Sequence, residues 1–160
     1  MNKIVYGETD ASGLDLISSL WKKLIEYHRV RSPSFTGHYG RVTWDKRKKK
    51  LLEKSKSGAI RIDLAREGTS GTLVGYCVST ISKEKQGEIE SLYVEEHFRR
   101  CGIGDNLVIN ALKWMDSNSV IKKIVGVGVG NEEVFEFYRR YNFYPRTMIL
   151  EQVDNNRKGA

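Results

Sequence analysis

The residues in this chain most suited to chemistry are Arg99-Arg100-Cys101-Gly102-Ile103-Gly104. The stretch falls between a β-rich run and a run with helical spacing, and two glycines there let the backbone turn tightly with N–H groups directed outward. A helix N-terminus has free donors and the positive end of a dipole, so it captures phosphate or pyrophosphate through main-chain amides, and flanking arginines strengthen the capture. No Gly-Lys-Ser/Thr follows and a third glycine is missing, which excludes a Walker loop and a dinucleotide fingerprint. Glu88 and Glu90 form a second group. Residues two apart on a strand share a face about 6.6–6.8 Å apart, and two carboxylates that close disfavour joint ionisation, which raises one pKa toward neutrality.

The elements that must position these groups are legible from periodicity. Ile4-Val5-Tyr6 reads as a short strand ending at Gly7, and Asp10 or Ser12 caps a helix with apolar residues at Leu14, Ile17, Leu20, Trp21, Leu24 and Ile25. Arg31 to Gly40 reads as a loop, and Thr43 to Lys56 as a basic helix anchored by Trp44, Leu51 and Leu52. Ile60, Ile62 and Leu64 alternate with Arg61 and Asp63, the pattern of a half-buried strand, and with Leu73–Ile81 and Ile89–Val94 they make an antiparallel meander. Gly102 to Met115 is helical, Ile121 to Val129 a strand thinned by glycines, Asn131 to Tyr141 a further helix and Phe143 to Val153 a last strand. These elements predict one α/β domain over residues 1–154, with a mixed sheet of about six strands and about four helices, and a frayed tail at 155–160.

Composition narrows the class. The chain has 160 residues, 39% hydrophobic, with 27 Lys+Arg against 20 Asp+Glu. No uninterrupted apolar run exceeds three residues, which excludes a helical membrane span and a secretory signal and predicts a cytoplasmic protein with no membrane partner. Cys77, Cys101 and three scattered histidines give neither a disulfide framework nor metal spacing, so no metal is expected. Residues 59–98 are acidic, with four basic and seven acidic residues, whereas Arg41 to Lys56 holds eight basic residues against two acidic ones. The run Lys46-Arg47-Lys48-Lys49-Lys50 covers every side of a helix and reads first as a solvated surface, with attraction of an acidic acceptor or a polyanion as the alternative. Without aromatics interleaved on a basic strand, the chain carries no nucleic-acid signature.

The order of elements and the Arg99–Gly104 loop resemble the GNAT superfamily of acyl-CoA-dependent N-acyltransferases. Asn131-Glu132-Glu133-Val134-Phe135-Glu136-Phe137-Tyr138, followed by Tyr141-Asn142-Phe143, is similar to that family's second signature. Arg100 and Cys101 stand where members often carry Gly and a basic residue, Val134 replaces a small residue, and Asn142 replaces Gly; Asn tolerates the left-handed conformation that this turn needs.

The resemblance implies an N-acetyltransferase that uses acetyl-CoA as co-substrate and transfers the acetyl group directly to a primary amine. The backbone of Leu92, Tyr93 and Val94 would pair with the pantetheine amides, with the Val94 amide as oxyanion donor. The loop of Arg99, Arg100, Cys101, Gly102, Ile103 and Gly104 would hold the pyrophosphate, and Asn131 would contact the cofactor. Glu88 and Glu90, directly or through a water, would take the acceptor's proton, and Tyr138 would protonate the leaving thiolate. Cys101 reads as filler in the loop and Cys77 as packing. A catalytically silent CoA-binding sensor or interaction module is the alternative. The acceptor stays open between small molecules and peptide or protein amines, and the Phe143–Val153 strand would be the element to support a homodimer.

Overall fold

The computed structural model describes residues 2–153. The tail expected at 155–160 lies outside the described residues. The chain forms two compact units, one from the residues up to Lys22 together with Trp44–Val125, the other from Lys23–Thr43 and from Gly126 onward.

The first unit holds a five-stranded mixed sheet in the order β1 (Ile4–Thr9), β2 (Ala59–Glu67), β3 (Leu73–Ile81), β4 (Gln86–Val94), β5 (Lys122–Val125). The first three pairings are antiparallel and β4–β5 is parallel. A 3-10 turn at Ala11–Ile17 is capped by Asp10, whose carboxylate accepts from the Ser12 amide at 2.9 Å, and it leads into α1 (Ser18–Arg31). Helix α3 (Trp44–Ser57) contacts β2 and β3, and α4 (Ile103–Ser117) contacts β2, β3 and β4. Both faces of β3 are therefore covered, and every residue from Val74 to Ile81 is buried.

Strand alternation shows which helix covers which face. Thr80 lies on the face that side chains of α3 reach, whereas Gly75 meets Ile103 and Leu107 of α4. On the α3 face, Trp44 packs against Trp21 with ring centroids 5.3 Å apart, and Leu51 is fully buried. On the α4 face, Leu107, Val108, Ala111 and Met115 are fully buried. This face also takes Arg61 and Asp63, which the alternation of β2 assigns to solvent. Asp63 is only 1% exposed, and its carboxylate accepts from the Arg61 guanidinium at 2.8–3.1 Å. Burial raises the pKa of Asp63 above the ordinary value even though Arg61 opposes the rise. Burying a charge here is tolerable because its partner is two residues away on the same strand.

The second unit carries α2 (Thr36–Arg41) and α5 (Val134–Arg139). The Arg31–Gly40 stretch, expected as a loop, contains a 3-10 turn at Pro33–Phe35 and most of α2. Two further expectations are corrected. The strand expected over Ile121–Val129 ends at Val125, because Gly126, Gly128 and Gly130 supply too little side chain to hold a ladder. Phe143 to Val153 forms no strand. Its apolar residues satisfy strand propensity, yet Pro145 removes a donor, no ladder partner exists among the described residues, and Ile149 and Leu150 stand 87% and 88% exposed. The sheet therefore has five strands rather than about six.

Gly87 shows how closely α4 approaches the sheet: a Cβ there would lie 2.7 Å from Met115 Sδ and 3.1 Å from Val120. Gly87→Val is expected to lower unfolding stability by about 1–3 kcal/mol, the cost of overpacking a filled core. Chemical denaturation checks this.

Candidate functional site

Two features of β4 dominate the first unit's chemistry. In the β3–β4 register Val78 faces Ser91 and Ser79 faces Ile89, so Glu90 is an extra, bulged residue. On the other side of β4, the ladder to β5 runs from Gln86↔Lys122 to Ile89↔Val125 and stops there. From Glu90 to Val94, no strand of the described residues pairs with that edge of β4. The main chain of Leu92, Tyr93 and Val94 thus has one side bonded to β3, while on the other side no strand of the described residues pairs with it and Val94 O accepts from Arg99 Nε.

The strand then leads into the glycine loop. A short turn at Glu96–Phe98 precedes it, and Arg99 folds back so that its Nε donates to Val94 O at 2.8 Å while its guanidinium lies 5.4 Å from the Tyr93 ring centroid. Arg100 sits in the left-handed region at φ 61° and Gly102 at φ 78°. Gly102 is the N-cap of α4 and makes no side-chain cap bond. The first-turn amides of a helix have no partner within the helix, so without a capping side chain they suit an anion. Cys101 is exposed and its thiol lies 3.4 Å from Arg99 O. Cys77 is buried, and burial pushes its thiol pKa up to about 12 against the weaker effect of the Ser79 hydroxyl.

Glu88 and Glu90 do share a face, and both meet Lys54 of α3. Lys54 Nζ lies 2.9 Å from Glu88 Oε2 and also pairs with Glu90 Oε1. Glu90 further accepts from Thr80 Oγ1 at 2.7 Å and from Arg47 at 3.1 Å. Burial of the Glu90 carboxyl raises its pKa, but the Lys54 and Thr80 hydrogen bonds and the charges of Lys54 and Arg47 outweigh burial and hold it below the ordinary carboxylate range. The expectation that adjacency would raise one carboxyl toward neutrality is therefore not met at Glu90. The repulsion it rests on is offset by cations that α3 delivers from 34 to 43 residues away.

The second unit holds Asn131 and Tyr138. The helix expected to begin at Asn131 begins at Val134, so Asn131 precedes it rather than sharing a helix face with Tyr138. Tyr27 of α1 donates to Asn131 Oδ1 at 3.2 Å and also pairs with Glu133, while the Arg31 guanidinium covers the Tyr27 ring at 3.4 Å. This leaves the Asn131 side-chain amide nitrogen able to donate. Tyr138 is 7% exposed, with its ring edge-on to Phe137 and Phe143. The helix ends in a Schellman turn: Asn142 N–H donates to Arg139 O at 3.0 Å and Phe143 N–H to Tyr138 O at 3.2 Å. Asn142 takes the left-handed conformation, φ 63°, that sequence reading assigns to it.

Sequence reading missed Tyr27, Arg47 and Lys54. Their partners are 104, 43, and 34 or 36 residues away respectively, and no local spacing signals such contacts. It also set aside His28, whose buried Nδ1 has no hydrogen-bond partner among the described residues. Among those residues no group of three or more His, Cys, Asp or Glu is placed to hold a metal, and no helix is long and apolar enough to cross a membrane.

The profile of the acetyltransferase (GNAT) family matches residues 21–143. An uncharacterized N-acetyltransferase of Methanocaldococcus jannaschii is 31% identical over 72 residues, which are 45% of this chain and 32% of that protein. The match thus spans about a third of the length of that curated relative. A GCN5-related N-acetyltransferase from Ralstonia eutropha JMP134 has a similar fold, with a TM-score of 0.71 at 16% identity over 94% of this chain and 99% of that one. AAC(6')-Iy, solved in complex with the bisubstrate analog CoA-S-monomethyl-acetylneamine, aligns at a TM-score of 0.62 and 14% identity over 94% and 98% of the two chains. At these identities the structural likeness speaks to fold alone.

His28 generates a prediction. Desolvation, with the nearby Arg31 charge adding to it, lowers its pKa below 6.5. The unfolded chain therefore binds more protons just below pH 6.5, and stability must fall as pH drops from 6.5 through the folded-state value. Denaturation midpoints measured from pH 7.5 to 5 should show this loss, at a slope of at most about 1.4 kcal/mol per pH unit from this one group. His28→Phe should flatten it.

Proposed function

The chain belongs to the acetyltransferase (GNAT) family, and from that membership we propose that it is an N-acetyltransferase moving an acetyl group from acetyl-CoA directly to a primary amine. One observation carries the reading. The β4 edge that β5 leaves unpaired runs straight into a glycine turn with two arginines and an uncapped helix start. A ligand with an extended, amide-bearing arm and a pyrophosphate at its end matches that order of donors and acceptors. The donors of the first unit fit acetyl-CoA: Leu92, Tyr93 and Val94 would hold the arm and the loop from Arg99 to Gly104 the pyrophosphate; by the family resemblance Asn131 would also contact the cofactor. The complex of AAC(6')-Iy with a CoA-based analog supports the same cofactor class.

When bound, acetyl-CoA supplies a thioester whose carbonyl carbon accepts an amine. The chain's residues then have three tasks. The Val94 amide donates a hydrogen bond to the oxygen on which negative charge grows. The carboxylate pair Glu88 and Glu90, directly or through a water, takes the proton that the amine must lose. The Tyr138 hydroxyl gives a proton to the departing sulfur, and a phenol keeps that proton available at neutral pH. The N–C bond forms as the C–S bond breaks, and no covalent enzyme intermediate is required. The acceptor class takes in small-molecule, peptide and protein amines.

The deciding experiment is a thiol-release assay with acetyl-CoA over a panel of amines. Turnover distinguishes an enzyme from a catalytically silent CoA-binding module, which would bind without releasing thiol. Binding has its own test. Acetyl-CoA at about 100 times its dissociation constant should stabilise the wild type by about 2.7 kcal/mol. Gly104→Val, in the first turn of α4, should lose most of that gain. Equal stabilisation of both proteins would remove the loop from the binding site.

Tyr138→Phe keeps the ring between Phe137 and Phe143 and removes the hydroxyl. The expected result is a kcat lowered at least about tenfold, toward the 10²–10⁴-fold range of general acid catalysis, with acetyl-CoA stabilisation unchanged. Near-normal turnover would make the hydroxyl structural.

A further inference from the structure

The two carboxylates of β4 are not equivalent. Glu90 is the bulged residue, its side chain 3% exposed, and its two oxygens take three donors: Arg47 Nη2 at 3.1 Å, Thr80 Oγ1 at 2.7 Å and Lys54 Nζ. The same Arg47 nitrogen donates to the Glu90 main-chain oxygen at 3.0 Å. One guanidinium thus grips both the carboxylate and the backbone of the residue that interrupts the ladder. Glu88 is different. Its side chain is 28% exposed, and Lys54 Nζ at 2.9 Å is its one ion-pair partner among the described residues. A carboxylate offers about four lone-pair positions. Glu90 has little acceptor capacity left, whereas Glu88 keeps an oxygen able to accept a proton from solvent or substrate.

We propose that Arg47 is a positioning residue that acts through Glu90: it holds Glu90 charged and bulged and so sets how Lys54 is shared with Glu88, the member of the pair left open to the acceptor's proton. The proposal rests on the acyl-transfer reading above. In the step, the nitrogen's lone pair forms the bond to the carbonyl carbon, its N–H proton passes to Glu88, directly or through one water, and the sulfur leaves with the C–S electron pair. Arg47 and Lys54 lie seven residues apart on α3, two helical turns, so they project to the same side of the helix. The groups facing Glu90 are Arg47 and Lys54 from α3, Thr80 from β3 and Glu88 from β4, with the Tyr76 hydroxyl on β3 held by Ser91 at 2.7 Å. Arg47 is the one cation among them that pairs with Glu90 without being shared with Glu88. With Arg47 in place, Glu90 stays charged and bulged, and Lys54 remains divided between the two carboxylates. Without it, Glu90 draws Lys54 to itself and the local positive charge falls by one.

The test compares Glu88→Gln, Glu90→Gln, Arg47→Gln and Arg47→Lys in pH–rate profiles, alongside carboxyl-carbon NMR titration of Glu88 and Glu90. Glu88→Gln should abolish the acid limb of kcat and lower kcat about 10²-fold or more. Glu90→Gln should keep an acid limb and move it to lower pH, because Lys54 then serves Glu88 alone. Arg47→Gln should move the acid limb of kcat to higher pH and raise the Glu90 midpoint, and Arg47→Lys should return both toward wild type. A structural role alone would depress kcat equally at every pH and leave the limb in place. The assignment is overturned if Glu90→Gln abolishes the acid limb as Glu88→Gln does, or if Arg47→Gln leaves the Glu90 midpoint unmoved. Should no amine be turned over, the acyl-transfer reading fails by itself, and the carboxyl titration still decides whether Arg47 governs Glu90.

Discussion

The extra residue in β4 is the constraint on which the rest of the first unit depends. Because Glu90 opposes no residue of β3, the strand bends and twists more strongly there. The parallel ladder to β5 ends one residue earlier, at Ile89. Upstream, β4 is an interior strand bonded on both sides; downstream, from Glu90 to Val94, no strand of the described residues pairs with its second edge. A regular ladder would have left no main-chain groups for an extended ligand. The bulge also turns Glu90 toward α3, so the point where sheet pairing ends is also the point where the helix's cations are received.

Charge distribution along the chain gains its meaning from this contact. The basic excess of Arg41 to Lys56 and the acidic excess of residues 59–98 are opposite faces of one arrangement, in which α3 lies over an acidic sheet. Arg47 and Lys54 turn inward to Glu90 and Glu88, and Lys48 turns to Asp15 at 2.7 Å. Burial raises the pKa of Lys54's carboxylate partner Glu90, and the ion pairs together with the Thr80 hydrogen bond reverse it. At Asp63 the balance falls the other way: one arginine, held on the same strand, leaves the carboxyl above its ordinary pKa. The difference follows from donor count, since Glu90 receives two cations and a hydroxyl.

Left-handed residues mark both signature segments. Gly102 adopts φ 78° at no steric cost, whereas Arg100, at φ 61°, carries a side chain in a conformation that disfavours it by about 1–2 kcal/mol. Asn142 closes α5 at φ 63° and so sets where Phe143 meets Tyr138. In each segment the conformation of one turn residue determines how a neighbouring functional group is presented.

The sequence by itself determined the family and most of the elements. Glycine spacing, helical periodicity and the Asn131–Phe143 signature are local properties, and local sterics and hydrogen bonding decide them. The antiparallel meander, the start of α4, the left-handed Asn142 and the shared face of Glu88 and Glu90 were all legible for that reason. Tertiary structure alone decided the register of β4, the end of β5 at Val125 and the absence of a strand over Phe143 to Val153, because a ladder exists only where a second segment arrives to pair. It alone brought Lys54 and Arg47 to the carboxylates and Tyr27 to Asn131. Coulomb energy and desolvation depend on distance in space, and chain separation carries no record of it. The residue types proposed for the chemistry were therefore readable in one dimension, while the charge environment of Glu90 was set by neighbours that only folding supplies.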